Sequence, residues 1–189
     1  MTPIIRTADP DADAAAVAEI YRPAVEDGLA SFEELAPDAT EVRDRILHTL
    51  ERTPWLVAAL DSTVVGYAYA GPHHARPGYR WAVNVSVYVR DGFTGRGIGR
   101  LLYEELFGLL RRQGYVNAYA GITQPNPASV ALHQAMGMRR IAVYERVGWK
   151  HGAWRDVAWY AIRLIEPSDP PAEPIPIREL MGGSGLRRT

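Results

Sequence analysis

The chain has 189 residues and a mass of 21.0 kDa, which predicts one domain, and its composition of 47% hydrophobic and 23% charged residues is that of a globular protein. It contains no cysteine, which excludes disulfides, thiolate zinc sites, iron–sulfur ligation and a cysteine nucleophile, so we expect a cytoplasmic protein. No apolar run approaches the roughly 20 residues that cross a bilayer, so no membrane partner is expected.

The net charge of -1 is unevenly distributed along the chain. Residues 1–60 hold five Arg against twelve Asp and Glu, whereas residues 90–163 hold ten Arg and one Lys against five acidic residues. A basic second half suits an anionic ligand such as a phosphate group, although two solvated charged faces would give the same balance. The basic residues are scattered and no nucleic-acid-binding motif accompanies them, so no nucleic-acid partner is expected.

The first half of the chain predicts a strand, two helices and a hairpin. Ile4–Arg6 is typical of a short strand, and the Ala-rich segment from Asp11 to about Asp27 predicts a helix that Pro23 bends or ends. Asp38, with Glu41 three residues later, resembles the capping box that starts a second helix. Two short apolar runs, 55–60 and 64–70, then predict a hairpin.

The segment Tyr79–Arg90 predicts a long strand. Its odd-numbered side chains from Trp81 to Val89 are all apolar, whereas Asn84, Ser86 and Arg90 lie on the opposite face. A glycine-rich loop and an amphipathic helix that stops at Gly114 follow. The remaining predicted elements are strand 115–122, helix 127–136 and strands 139–146 and 154–164.

This order of elements predicts an α/β fold in which a mixed central β-sheet is flanked by helices on both faces. We expect a single domain over residues 1–165. Residues 166–189 are rich in Pro and Gly and predict a C-terminal tail that is draped on the surface or mobile.

The alternating glycines Gly95, Gly97 and Gly99 stand between a strand and a helix, and they predict an anion site. Backbone N–H groups at a helix N-terminus bind phosphate, and glycine lets the main chain approach it closely. Arg96 and Arg100 add positive charge at the same place. A glycine-rich turn that serves only chain reversal is the alternative.

Two common phosphate loops are excluded by spacing. A Walker loop requires Gly-Lys followed by Ser or Thr, but Lys150 is the only lysine. The dinucleotide fingerprint requires glycine at position 100, which is Arg, and no acidic residue lies between Glu105 and Glu145 to bind a ribose.

Another pattern fits the glycine loop. The Val87-Tyr88-Val89 strand, the loop with its helix, and Gln124-Pro125-Asn126 before a helix carrying His133 together resemble the GNAT superfamily of N-acetyltransferases. The segment from Lys150 to Val157 (Lys-His-Gly-x-Trp-x-Asp-Val) resembles its phosphinothricin N-acetyltransferase branch. The resemblance covers about residues 3–165 and implies the GNAT-like acyl-CoA N-acyltransferase fold, with acetyl-CoA as co-substrate, no metal, and a homodimer.

The resemblance also implies how acetyl-CoA binds. Val87 and Val89, with Tyr88 between them, would offer main-chain groups to the pantetheine arm, and the loop would hold the pyrophosphate. Asn126 would contact the cofactor arm, or serve only as the N-cap of its helix. The implied cofactor-binding residues are Val87, Tyr88, Val89, Gly95, Arg96, Gly97, Ile98, Gly99, Arg100 and Asn126.

Two implied catalytic positions carry unusual residues. His133 stands where many superfamily members place the Tyr that protonates the CoA thiolate, and it either donates a proton or is structural. Asn84 stands where the branch has the Glu regarded as general base, and an amide has no useful basicity. Therefore another group takes the proton, the amine arrives neutral, or the chain is not a competent acetyltransferase.

The acceptor side is assigned by the same resemblance. Arg76 matches an Arg of the branch and could bind a substrate carboxylate through two hydrogen bonds. Phe32 and Tyr79 could wall the acceptor pocket, although both would serve equally well in a core. His73 and His74 share a loop with Arg76, but no third ligand accompanies them, so we expect solvated histidines and no metal.

The function that follows is transfer of an acetyl group from acetyl-CoA to the amino group of a small amino acid or analogue, of the phosphinothricin, methionine sulfone or methionine sulfoximine type. Direct attack in a ternary complex is expected, because no cysteine can form an acetyl-enzyme. The alternatives are a catalytically weakened acyl-CoA-binding protein and an acetyltransferase that acts on protein amino groups.

Overall fold

Seven strands form one sheet in the computed structural model, which describes residues 2–182. The strands are β1 (Ile4–Thr7), β2 (Trp55–Leu60), β3 (Thr63–Pro72), β4 (Ala82–Val89), β5 (Asn117–Thr123), β6 (Arg139–Lys150) and β7 (Ala153–Arg163). Their order in the sheet is β1-β2-β3-β4-β5-β7-β6. Only the β4–β5 pair is parallel, and the other neighbouring pairs are antiparallel.

Helices cover both faces of this sheet, because apolar side chains alternate along its central strands and create a core on each face. The helices within the described residues are α1 (Pro10–Glu26), α2 (Ala39–Leu50), α3 (Ile98–Gln113), α4 (Pro127–Ala135) and α5 (Ile177–Gly182). One core joins α3 to Leu56 and Val85, and the other joins α1 and α2 to Val57 and Tyr67. The predicted mixed α/β sheet is thereby confirmed. No helix in this part of the chain combines the length and apolarity of a membrane span.

The helix starts follow the sequence signals closely. The carboxylate of Asp38 accepts a hydrogen bond of 2.8 Å from the backbone N–H of Glu41, as an N-cap does. Pro23 lies inside α1, which continues to Glu26 rather than ending at the proline. Gly114 ends α3 in the left-handed conformation, as the sequence predicts.

The strand predicted from Tyr79 begins later, at Ala82. Residues Pro77–Tyr79 form a single 3-10 turn, in which the N–H of Tyr79 donates to the carbonyl of Arg76. Pro77 fixes its own backbone angle at the start of this turn and has no N–H for a strand ladder, so the chain turns before the strand starts.

The described part of the predicted tail packs against the domain. The side chain of Gln113 donates two 2.7 Å hydrogen bonds, to the carbonyls of Arg52 and Ile175, and Ile177 is only 1% exposed. The indole of Trp81 donates to the carbonyl of Ala172. Residues 183–189 lie outside the described residues, and the boundary between domain and tail stays a prediction.

The functional site is positioned by the early end of the β4–β5 pairing. Only Ala82–Asn84 pairs with Asn117–Tyr119. Beyond Asn84, β4 continues along β3 to Val89, whereas β5 continues along β7 to Thr123. The two central strands therefore separate and leave a wedge in the middle of the sheet.

Candidate active site

The wedge between β4 and β5 forms a cleft that passes from one face of the sheet to the other. Four elements and two residues outside them supply its walls: β4, β5, α3 and α4, together with Ala30 and Asn126. The lining residues are Ala30, Val85, Ser86, Val87, Tyr88, Tyr103, Ala120, Gly121, Ile122, Thr123, Asn126, Ser129 and His133. Three predicted cofactor-site residues and His133 are thus brought together in one cleft.

The main chain of β4 is free to bind a ligand on the side facing the wedge. The carbonyl of Ala82 accepts a hydrogen bond from the N–H of His73, and the N–H of Arg90 donates to the carbonyl of Val65. The main-chain groups of the even-numbered residues of β4 therefore form hydrogen bonds with β3. In an extended strand the main-chain groups of neighbouring residues point to opposite sides. The C=O of Val85 and the N–H and C=O groups of Val87 and Val89 therefore point toward the wedge, where no strand of residues 2–182 pairs with them.

The glycine loop has the geometry of an anion site. Gly95 and Gly97 have φ angles of 74° and 79°, a left-handed conformation that side chains with a Cβ rarely adopt. Gly97 is the N-cap of α3 and offers no side chain to the first amides of that helix. These amides point out of the helix N-terminus, where the helix dipole favours negative charge. Gly99 has a different role, since a Cβ there would lie 3.0 Å from Leu132 of α4.

The two arginines of the loop are exposed. Arg100 forms a 2.8 Å ion pair with Glu104 one turn along α3, and the Arg96 guanidinium lies 5.0 Å from the ring centroid of Phe93. Both side chains can exchange these surface contacts for a bound anion at little cost, because exposed ion pairs contribute little. Their assignment to the pyrophosphate stays a prediction.

Asn126 caps α4 and also lines the cleft. Its Oδ1 accepts a 3.1 Å hydrogen bond from the N–H of Ser129, as an N-cap side chain does. Asn126 is therefore the N-cap of α4, which is the structural role that the sequence left open. A second role, contact with the cofactor arm, stays a prediction that its place on the cleft wall supports.

His133 is buried and uses both of its ring nitrogens. Nδ1 lies 2.7 Å from the carbonyl of Ser129, so it carries the proton, and Nε2 accepts from the hydroxyl of Tyr103 at 2.9 Å. Burial lowers the pKa of His133 and keeps the ring neutral. In this state it has no free proton to donate. Its geometry supports a positioning role for the Tyr103 hydroxyl, and proton donation stays a prediction.

A second cavity, of about 520 Å³, opens on the face of the sheet that α1 and α2 cover and shares Ala30, Gly121 and Thr123 with the cleft. Its walls are mostly aromatic or aliphatic. They comprise Ala30, Phe32, Gly121, Thr123, Tyr144, Val147, Gly148, Trp149, Val157 and Trp159. Among the described residues, this lining includes no Asp, Glu, Lys or Arg. The cavity is therefore suited to an uncharged group.

Most of this cavity was missed from the sequence, although Phe32 was predicted. Tyr144 and Trp159 come from two neighbouring strands, and the aromatic residues along these strands are the signal in the sequence that points to such a wall. Gly148 lies beneath the Phe32 ring, since a Cβ there would collide with Phe32 Cε1. Tyr103 was also missed, because its neighbours on α3 form an ordinary core stripe.

The only lysine of the sequence holds the loop that carries Phe32. Lys150 is 8% exposed, and its Nζ donates to the carbonyls of Val25 and Ser31 at 2.6 and 2.5 Å, with a longer contact to that of Glu33. A buried ammonium requires acceptors for its hydrogens, and here one carbonyl in the last turn of α1 and two of the loop after it provide them. This loop is therefore fixed against the end of β6.

Arg76 and Tyr79 line neither the cleft nor the 520 Å³ cavity. Both line a separate cavity of about 430 Å³ between the end of α2 and the β3–β4 loop, together with His74. The Arg76 side chain is exposed and makes no hydrogen bond or ion pair with residues 2–182. Its assignment to a substrate carboxylate, and that of Tyr79 to the acceptor pocket, stay predictions.

Asn84 lies at the point where β4 and β5 part. Its Oδ1 is 2.8 Å from Nδ1 of His73, on the loop that follows β3. The sequence did not predict this pair, because the two residues are eleven positions apart on opposite sides of a loop. Within residues 2–182, no group of three or more His, Asp or Glu side chains could hold a metal ion.

Comparisons with known proteins agree with this geometry. The model of the acetyltransferase (GNAT) family matches residues 15–138. A phosphinothricin N-acetyltransferase of Streptomyces viridochromogenes is 36% identical over 165 residues, 87% of this chain and 90% of the relative. An L-methionine sulfoximine/L-methionine sulfone acetyltransferase of Salmonella typhimurium is 35% identical over 179 residues, 89% of this chain and 98% of the relative. The crystal structure of a GNAT superfamily phosphinothricin acetyltransferase from Sinorhizobium meliloti in complex with AcCoA has a TM-score of 0.84 at 34% identity, covering 90% of this chain and 96% of that chain.

The neutral, buried state of His133 predicts a loss of stability in acid. Its pKa is lowered in the folded chain, so below a pH of about 6.5 the unfolded state binds a proton that the folded state resists. Between pH 7.5 and 5.5 this should lower the free energy of unfolding by about 1 kcal/mol. Urea denaturation at the two pH values measures it. His133→Gln should remove that part of the pH dependence, whereas His48→Gln, at an exposed position on α2, should retain it. An unchanged pH dependence in His133→Gln would contradict a neutral buried imidazole.

Proposed function

The chain belongs to the acetyltransferase (GNAT) family, and from that premise we propose that it moves an acetyl group from acetyl-CoA to the amino group of a small amino acid or analogue. One observation carries the proposal. The wedge between β4 and β5 joins a strand with free main-chain groups, next to a left-handed glycine loop, to an uncharged cavity on the other face of the sheet. A thioester that enters from the first side meets an amine from the second.

We propose the following cofactor contacts. The free main-chain groups of β4 at Val87 and Val89, with Tyr88 between them, bind the pantetheine arm as a strand would. The amides at the start of α3 bind the pyrophosphate, with the loop side chains adding charge. The residues so assigned are Val87, Tyr88, Val89, Gly95, Arg96, Gly97, Ile98, Gly99, Arg100 and Asn126.

The chemistry is direct transfer. The neutral amine nitrogen attacks the thioester carbonyl carbon, a C–N bond forms, and the C–S bond breaks. The CoA thiolate leaves and takes up a proton, and the nitrogen of the product amide has lost one. Main-chain N–H groups of β4 beside the wedge are placed to polarise the carbonyl, so that catalysis rests on positioning and on fixed dipoles.

The acceptor class follows from the walls of the 520 Å³ cavity. An uncharged, largely aromatic lining accepts an apolar or neutral polar side chain, whereas an anionic side chain would lose its hydration without gaining a counter-ion. Of the acceptors named for the relatives, methionine sulfone and sulfoximine are neutral in their side chains and phosphinothricin carries an anionic phosphinate. We therefore propose that the sulfone and sulfoximine are the better acceptors.

We further propose that the protein is a homodimer. β6 is an edge strand of the sheet, and apolar side chains that are more than 40% exposed lie along it. They are Ile141, Val143, Tyr144, Val147 and Trp149. An edge strand with exposed apolar groups is a surface that natural proteins usually cover.

We also propose a cytoplasmic location, because acetyl-CoA is an intracellular metabolite.

Gly97→Ala should weaken acetyl-CoA binding about tenfold. The added Cβ strains a φ of 79° by about 1–2 kcal/mol and shifts the amides that would hold the pyrophosphate. Calorimetry with acetyl-CoA measures the change. Gly108→Ala is the matched control, because Gly108 lies inside α3 with no atom within 4 Å of an added Cβ. Equal affinity in both variants would place the pyrophosphate elsewhere.

Methionine sulfone and phosphinothricin form a matched pair, since the two side chains have the same shape and differ mainly in charge. The kcat/KM for methionine sulfone should exceed that for phosphinothricin at least tenfold, which corresponds to about 1.4 kcal/mol. Val157→Lys places a cation on the cavity wall and should reduce this ratio. A preference for phosphinothricin in the unaltered protein would show that the acceptor side chain lies outside this cavity. Binding of acetyl-CoA without turnover of any amine would contradict the acetyl transfer itself.

Sedimentation equilibrium tests the dimer. Val143→Glu places a charge on the exposed face of β6 and should yield a monomer, because an unpaired charge in an apolar interface costs several kcal/mol. Ile4→Glu, on the opposite edge strand at a position that is 70% exposed, should remain a dimer. A monomeric unaltered protein would rule out the interface.

A further inference from the structure

The acetyl transfer described above leaves one pair of polar side chains without a role. Nδ1 of His73 and Oδ1 of Asn84 lie 2.8 Å apart and join the loop after β3 to the middle strand of the sheet. An amide oxygen can only accept a hydrogen bond, so Nδ1 carries the proton. The neutral ring then has its lone pair on Nε2, which makes no hydrogen bond with any of residues 2–182. A histidine held in one tautomer by a neighbour is arranged to accept a proton.

This pair lies at the closed end of the wedge, on the acceptor side of the sheet. Asn84 pairs with Tyr119, and the side chains of paired residues lie on the same face. Gly121 and Thr123, two and four positions further along β5, share that face and line the 520 Å³ cavity. The His73 ring stacks on Tyr119 with 4.4 Å between centroids and approaches Trp159, a wall of the cavity, at 6.2 Å.

The side chains that face His73 are all uncharged or aromatic. They are Asn84 on β4, Tyr119 on β5, Trp159 on β7, and His74 and Tyr79 on its own loop, whose ring centroids lie 4.5 and 6.1 Å away. No Asp, Glu, Lys or Arg among residues 2–182 makes a hydrogen bond, ion pair or ring contact with His73. The pair therefore combines a fixed tautomer with an uncharged surrounding.

The other titratable groups near the cleft are unsuited to take a proton. Both nitrogens of His133 are already bonded, to Ser129 and Tyr103. Glu33 accepts two hydrogen bonds from Arg45, which is the main cause of its lowered pKa. Burial raises the pKa of Tyr88 well above its ordinary value, which holds its hydroxyl protonated. Of His73, His74 and His133, only His73 has one ring nitrogen held by a neighbouring side chain and the other without a hydrogen bond to residues 2–182.

We propose that His73, oriented by Asn84, is the general base of the acetyl transfer; this inference rests on the proposed function. Nε2 takes one proton from the acceptor ammonium, directly or through one water, and leaves a neutral amine. The nitrogen forms its bond to the thioester carbon, the C–S bond breaks, and the second surplus proton of the nitrogen passes to the CoA thiolate. His73 then returns its proton to solvent. Asn84 is a positioning residue in this step.

The first test is the pH dependence of kcat/KM with two acceptors whose amine pKa values differ. With His73 as the base, both profiles should level off at the same pH, because the titrating group then belongs to the protein and not to the acceptor. His73→Gln should lower kcat/KM at pH 7 about 100-fold, as loss of a general base does. Its remaining rate should rise about tenfold per pH unit and level off at the pKa of each acceptor.

Two further variants separate catalysis from structure. His74→Gln alters the adjacent imidazole, which lies outside the proposed machinery, and should change kcat/KM less than twofold. Asn84→Asp places a carboxylate beside the Nδ1 proton, which stabilises the charged ring, so the plateau should move upward by about one pH unit. A purely structural pair would not shift that plateau. Acetyl-CoA affinity, measured by calorimetry, should stay within twofold in all three variants.

A readout that needs no turnover is the tautomer of His73. Long-range nitrogen–proton NMR spectra at pH 8 should show the proton on Nδ1 and a free Nε2. A proton on Nε2, profiles that level off at the pKa of each acceptor in the unaltered protein, or full activity in His73→Gln would each overturn the inference while leaving acetyl transfer intact. Absence of turnover in the unaltered protein with acetyl-CoA bound would overturn the proposed function and this inference together.

Discussion

The structure depends on the short length over which its two parallel strands are paired. β4 and β5 pair over only three residues on each strand, and then each follows a different antiparallel partner. A sheet that remained closed would satisfy its main-chain groups within itself and offer nothing to a ligand. Here the free N–H and C=O groups of Val87 and Val89 border an opening, and the first turn of α3 supplies further free amides. Exposed main chain, rather than a set of charged side chains, is what this site presents to its co-substrate.

The acceptor side is built around two residues at the end of β6. Gly148 leaves the space that the Phe32 ring occupies, and Lys150 holds the loop that carries that ring. Neither contact involves a residue of the cleft, so the cavity wall at Phe32 can be rigid before any ligand binds. A rigid wall loses less conformational entropy on binding. This supports the proposal that the segment that begins at Lys150 shapes the acceptor pocket rather than the reacting centre.

Acid–base chemistry in this site is limited by burial. The hydroxyls of Tyr88 and Tyr103 are held protonated because burial raises their pKa values, and the same effect keeps His133 neutral. With Asn at position 84 the strand itself contributes no base. The proposed base is therefore His73, at the closed end of the wedge, where the neighbouring amide sets its tautomer without adding charge.

The sequence by itself determined the fold class and the strand–loop–helix unit, since these follow from side-chain alternation, helix periodicity and glycine spacing, which are local. Its resemblance to a family pointed to Val87 and Tyr88, which line the cleft. It also located the N-caps Asp38 and Asn126. The tertiary structure alone decided that His73 meets Asn84, that Lys150 binds the loop before Phe32, and that Arg76 lines a cavity separate from the cleft. Each of these depends on where strands part or loops return, a long-range outcome of packing that leaves no periodic trace in neighbouring residues.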